Sequence, residues 1–147
     1  MKRALIAGLA IALTAGAALA YDAASQVKDR QANMKQIGGA MKGLYDTLSG
    51  DKDPAKLKTY AANINALAGK VPSWFPVGSG PSSGEKTKAK AEVWTDPVGF
   101  KAASADFAAQ AAKLNAAAQT GDAEKVQAAF GAVRGTCKGC HDKYQAK

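Results

Sequence analysis

Apolar residues recur along this chain at intervals of three, four and seven, the period of a helix that buries one face. Val27, Met34, Ile37, Met41, Leu44 and Leu48 make such a stripe between about Asp22 and Ser49, and Gly50 ends it. A second helix is predicted to open at Asp53-Pro54, an N-cap followed by proline in the first turn. It carries Leu57, Tyr60, Ile64 and Leu67 on one face and stops at Gly69. The same device at Asp96-Pro97 opens a third helix, with Phe100, Ala103, Phe107, Ala111 and Leu114, ending near Thr120-Gly121. Asp122 then caps a fourth, whose stripe runs Val126, Ala129, Phe130, Val133, Cys137, Cys140, His141 and Tyr144. Short links join the first to the second helix and the third to the fourth. A Pro, Gly and Ser-rich stretch from Lys70 to Thr95, anchored by Trp74, Phe75 and Trp94, serves as one long crossover. The expected fold is therefore all-α, an antiparallel four-helix bundle.

The first twenty residues stand apart. Lys2 and Arg3 precede an apolar run from Ala4 to Leu19 that closes in Ala18-Leu19-Ala20, the layout of a secretory signal. The expected division is a signal peptide at 1–20 and one bundle domain at 21–147, exported and soluble. No second apolar stretch approaches the ~20 residues needed to span a membrane.

Composition then complicates the bundle. Residues 21–147 hold 26 Ala but only 7 Val, 5 Leu, 4 Phe and 2 Ile. So few bulky apolar residues point towards disorder, while the alanine favours helix over sheet. Either the chain does not fold alone or something other than side chains completes its core. The net charge of residues 21–147 is +6, which suits acidic partners. The lysines are spread along the chain, with Lys86, Lys88 and Lys90 the one close group, so nucleic-acid binding is not expected.

Cys137-Lys138-Gly139-Cys140-His141 supplies what the composition lacks. C-x-x-C-H is the attachment signal for covalent haem, and residues three and four apart share a helix face. Two thiols can add to the two vinyl groups of one haem while the imidazole reaches its iron. A zinc site would need more ligands than two Cys and one His. A thioredoxin-like site would need a βαβ setting, and none is readable. A disulfide between Cys137 and Cys140 is open to an exported protein but closes too short a loop to staple the fold.

With this motif near the C-terminus of four helices, the chain resembles the class II c-type cytochromes, the cytochrome c-prime group and its low-spin relatives. Further similarity lies in Arg30-Gln31, Leu67 to Phe75, Glu92-Val93-Trp94 and Cys137 to Tyr144. The resemblance implies one covalent haem c, with His141 as the proximal iron ligand. It places Met34 at the distal position, where some members have an apolar residue and an open iron and others a ligating methionine. His141 is the only histidine, so bis-histidine ligation is excluded. Met34 either ligates or fills space, as core methionines do; Met41, one heptad on, is the lesser substitute.

Arg30 occupies a stripe position that disfavours an unpaired charge. The resemblance implies that it pairs with a haem propionate, with Gln31 beside it; the alternative is a stem that packs while the head snorkels outward. Gas-binding members carry an arginine four residues after the ligand histidine, where this chain has Gln145. The expected function is a periplasmic electron carrier, not an enzyme, meeting acidic redox partner proteins. The alternative is a five-coordinate haem that binds nitric oxide or carbon monoxide. Homodimers through the first two helices are common in the group, and Tyr45, Leu48 and Tyr60 could serve one or belong to the core.

Overall fold

A computed structural model describes residues 14–147. The predicted leader at 1–20 lies for the most part outside the described residues. Helix α1 spans Thr14–Ser49 and α2 Pro54–Ala68; a single turn, α3, spans Glu92–Thr95, and α4 and α5 span Pro97–Gln119 and Ala123–Tyr144. The four long helices are those the periodicity predicts. Helix α1 is already helical at Thr14, where the described residues begin, and so extends upstream of the Asp22 start that the periodicity predicts.

The three aspartate caps form as read. Asp53 accepts from the amides of Ala55 (2.8 Å) and Lys56 (3.3 Å), and Asp122 from those of Glu124 (3.0 Å) and Lys125 (3.1 Å). Asp96 accepts from Gly99 at 3.0 Å. Each such cap contributes about 1 kcal/mol and fixes where its helix starts.

Packing follows the chain order. Helix α1 lies on α2, α2 on α4, and α4 on α5. The largest fully buried apolar side chains are Leu44, Leu57, Ile64, Leu114, Val126 and Val133, each stabilising by about 1.5–3 kcal/mol. Between them Ala61, Ala111 and Ala118 are also completely buried, so alanine is a spacer that lets helix axes approach. Where α1 meets α2, Gly43 faces the Tyr60 ring so closely that a Cβ there would overlap it. Leu48 and Tyr60 thus belong to the core, while Tyr45 remains 54% exposed.

One side of the square is different. Helices α1 and α5 make almost no close backbone contact, leaving a seam along the bundle. Both hairpin turns, at 50–53 and 120–122, lie at the end away from the crossover. The crossover itself is ordered by 3-10 turns at Val71–Trp74 and Pro81–Ser83 and ends in α3. It is stitched to the end of α5, where Lys90 N–H donates to the Tyr144 carbonyl (2.9 Å) and Ala146 N–H to that of Lys88 (2.8 Å).

Candidate functional site

The site begins with the face that α5 turns to the seam. Phe130 and Arg134 of α5 and Met41, Lys42 and Tyr45 of α1 line a cleft of about 350 Å³ between the two helices. Continuing from Phe130 and Arg134 in steps of three and four reaches Cys137 and then His141. Because α1 and α5 run antiparallel, the α1 position one heptad back from Met41 is Met34. On helical spacing Cys137 and His141 continue the α5 wall and Met34 the α1 wall, beyond the residues that line the cleft itself.

Burial matches that placement. Met34, Met41, Cys137 and Cys140 are partly buried and packed on the core, whereas His141 is exposed. Burial pushes the Cys137 thiol above its ordinary pKa, and burial followed by the neighbouring Cys137 does the same to Cys140. These are neutral, half-sheltered thiols facing apolar surroundings, the opposite of activated redox cysteines. They remain separate cysteines with no disulfide between them. On its other flank α5 forms a shallow groove of about 380 Å³ with α4, lined by Ala103, Asp106, Gln110, Gly135 and Cys140 among others. Cys140 thus opens on the α4 side, while the cleft on the α1 side is lined by none of the motif residues; only the helical continuation of its walls leads to Cys137, His141 and Met34. Among the described residues no group of three or more His, Cys, Asp and Glu could hold a bare metal ion. The donor set does fit a haem: two thiols three residues apart, an imidazole one residue on, and methionine thioethers half-buried on α1.

Arg30 has partners other than the propionate expected of it. It is 3% exposed, and its Nη1 donates to the Ser79 hydroxyl (3.0 Å) and the Trp74 carbonyl (3.3 Å). Its Nη2 donates to the Ser79 carbonyl (3.1 Å) and the Thr87 hydroxyl (2.9 Å). The guanidinium also sits 4.6 Å from the Phe75 ring centre and 5.9 Å from that of Trp94. Every acceptor is neutral, and desolvation lowers the arginine pKa. Gln31 donates to the Lys86 carbonyl at 2.8 Å. The pair bolts the crossover to α1, leaving a propionate only the Arg30 Nε–H and the second Gln31 amide proton. A charge on a buried stripe signalled a strong partner, but several neutral acceptors in a distant loop have no short-range signature.

A second support was not read from the sequence. Asp96, besides capping α4, accepts from the Tyr144 hydroxyl (2.9 Å) and the Lys143 ammonium (2.6 Å). Those bonds, with the Gly99 amide, hold its carboxyl down at about 2. They fasten the end of α5, within three residues of His141, to the start of α4. Tyr144 further packs edge-on against Phe100, with ring centres 5.3 Å apart. Gln145 leaves the helix in an extended conformation and pairs with Ala89.

A four-helix bundle whose last helix carries C-x-x-C-H, beside a side left without close helix packing, defines a class: bundle proteins that hold haem covalently. The family description Cytochrome C' matches residues 25–145. A cytochrome c' of Rubrivivax gelatinosus is 42% identical over 107 residues, covering 71% of this chain and 82% of the relative. One from Rhodospirillum rubrum is 36% identical over 148 residues, covering 99% of each. Among solved structures, a ferrous variant of cytochrome c prime from Alcaligenes xylosoxidans with bound NO superposes with a TM-score of 0.74 at 31% identity, covering 83% of this chain and 94% of that one. The chain belongs to the cytochrome c' family and binds one covalent haem c. No helix among the described residues is long and apolar enough to cross a membrane.

Proposed function

We propose that this chain is a periplasmic electron carrier, comprising residues 21–147 after removal of a leader at 1–20, with no substrate turned over. In this reading Cys137 and Cys140 form the two thioether bonds, His141 is the proximal ligand and Met34 the distal one. What supports it is the loosely packed side of the bundle between α1 and α5, along which helical spacing continues from the cleft to Cys137 and His141 on α5 and to Met34 on α1. Bound there, haem iron supplies a one-electron couple.

The chain's own residues do the rest. The half-buried thiols stay protonated until used for attachment, and the thioethers of Met34 and Met41 exclude water from the seam. A methionine sulfur at the sixth position favours reduced iron and raises the potential. Arg30 and Gln31 fix the crossover, and any propionate contact uses the protons the crossover leaves free. The +6 surface draws in acidic redox partners.

The second reading, a five-coordinate haem that takes nitric oxide or carbon monoxide, is favoured by the NO bound in the Alcaligenes relative and by the half-buried, space-filling setting of Met34. Spectroscopy separates the two. The carrier reading expects a low-spin ferric spectrum with a near-infrared sulfur-to-iron band and slow carbon monoxide uptake by the ferrous form. A high-spin ferric spectrum with rapid uptake establishes the gas-binding reading instead.

A further inference from the structure

The crossover contains Lys86, Lys88 and Lys90 in alternate positions, and the structure shows what that alternation does. Between them, Thr87 turns inward to accept from Arg30, and Ala89 packs partly buried on the core and pairs with Gln145. Successive side chains of an extended segment point to opposite sides, so anchoring Thr87 and Ala89 displays Lys86 and Lys88 outward. Lys86 and Lys88 are exposed; Lys90 is half-buried, its ammonium donating to the Lys143 carbonyl at 2.9 Å. The pairing with residues 144–146 adds Lys143 and Lys147 from the chain's far end.

Ion pairing treats these lysines unequally. Lys143 is satisfied by Asp96, and nearby Lys138 by Asp142. Among the described residues Lys86, Lys88, Lys90 and Lys147 make no salt bridge to Asp or Glu. Glu85 and Glu92 flank the segment without pairing to it. The bridge at Gln145 is one helical turn, ~6 Å along the axis, from His141. An uncompensated cationic ridge therefore borders the end of α5 that carries the motif.

We propose that Lys86, Lys88 and Lys90, held by the pairing of the crossover with residues 144–146, form the docking surface for an acidic face of a redox protein. The inference rests on the electron-carrier reading and gives that carrier the place where its partner binds. Charge complementarity selects an acidic protein: among the described residues the ammonium groups of the ridge have no carboxylate partner. Electron delivery involves no bond change; one electron passes from the reduced partner to ferric haem.

The probe is a reduced acidic [2Fe-2S] ferredoxin, mixed by stopped flow with the ferric holoprotein at low ionic strength. Reversing charge with Lys86→Glu plus Lys88→Glu is expected to lower the second-order rate constant at least five-fold. Lys52→Glu plus Lys113→Glu changes net charge equally but away from the ridge, and is expected to change it less than two-fold. Both differences should vanish near 1 M salt, where screening acts within about 3 Å. With hexaammineruthenium(II), a small cationic reductant, the ridge variant should react faster than wild type. Equal effects from the two pairs, or none from either, overturn the docking surface while leaving the carrier intact. Slow reduction of wild type by both reagents overturns the carrier reading and the surface with it. Binding to phosphatidylserine vesicles that is lost in the ridge variant, with ferredoxin rates unaltered, reassigns the ridge to lipid.

Discussion

Replacing Arg30 with leucine separates two views of the most unusual residue in the bundle. The guanidinium makes four hydrogen bonds to Trp74, Ser79 and Thr87 and stacks beside Phe75 and Trp94. Leucine keeps much of the stem's volume but leaves the Ser79 and Trp74 carbonyls without these donors, at about 1–3 kcal/mol for each buried acceptor. The lost cation–π contact adds ~1–2 kcal/mol. Against this, the protein no longer desolvates a charge that has no anionic partner, which returns a few kcal/mol. The balance is a loss of ~3 kcal/mol, or roughly 10 °C in melting temperature for a domain of this size.

The assay is thermal and urea unfolding of the covalently loaded protein, with hydrogen exchange followed along residues 79–90. Those amides include Ser79 N–H on Pro76, Ser83 N–H on Gly80 and Lys90 N–H on Tyr144, and all should lose protection. Arg30→Lys keeps the charge without the planar fork and should recover less than half of the loss. A loss below about 1 kcal/mol with the loop still protected refutes the bolt. A shift in reduction potential with unchanged loop protection would return Arg30 to the propionate.

Three further outcomes follow from the site. Met34→Leu should convert a low-spin ferric spectrum to high-spin and speed carbon monoxide binding to the ferrous form; identical spectra before and after would remove Met34 from the iron. Cys137→Ala with Cys140→Ala should abolish the covalent haem mass and leave a partly unfolded chain, so a fully native circular dichroism spectrum of the haem-free variant would contradict cofactor-dependent folding. Asp96 titrates in the folded state at about 2, below its ordinary 3.8. Its ionised form is thus favoured by folding, and the stability it adds is complete above about pH 4 and disappears as pH falls through about 2. Urea midpoints of wild type and Asp96→Asn should therefore converge over that interval, and a constant gap from pH 5 to 2 would exclude this linkage.

The parts of the fold legible in the sequence are those set by local chemistry. Asp53-Pro54, Asp96-Pro97 and Asp122 each announce a helix start, because a cap needs only its own next few amides. The stripes on α2, α4 and α5 likewise map onto buried or half-buried positions, since period decides which face is inward; His141, predicted on the α5 stripe, is the exception, exposed in the last turn of the helix. The crossover was readable as a connection but not in its architecture. Its order comes from Arg30, 44 to 57 residues away from its acceptors, and from a two-bond pairing with the last residues of the chain. Such contacts leave no periodic trace. For the candidate site, the motif gave Cys137, Cys140 and His141 directly, whereas the partners of Arg30 and the Asp96–Tyr144 link depend on which ends of which helices meet.

The scarcity of bulky residues has a definite location in the structure. Where α2 meets α1 and α4, the supply is adequate: Leu44, Leu57, Ile64 and Leu114 alternate with alanines and leave those side chains fully buried. The deficit falls between α1 and α5, which make almost no close contact and leave a cleft lined by Met41, Lys42, Tyr45, Phe130 and Arg134. Alanine-rich helices can close on one another, but they cannot close on a gap. On the proposed placement, a rigid apolar plate fixed to α5 by two thioethers would fill that side with surface that the sequence does not encode as Leu or Phe. The same composition that points towards disorder when side chains alone are counted then describes three packed interfaces and a fourth side left for haem c. Stability of α1 against α5 should accordingly follow haem content, while the interface of α2 with α4 persists without it.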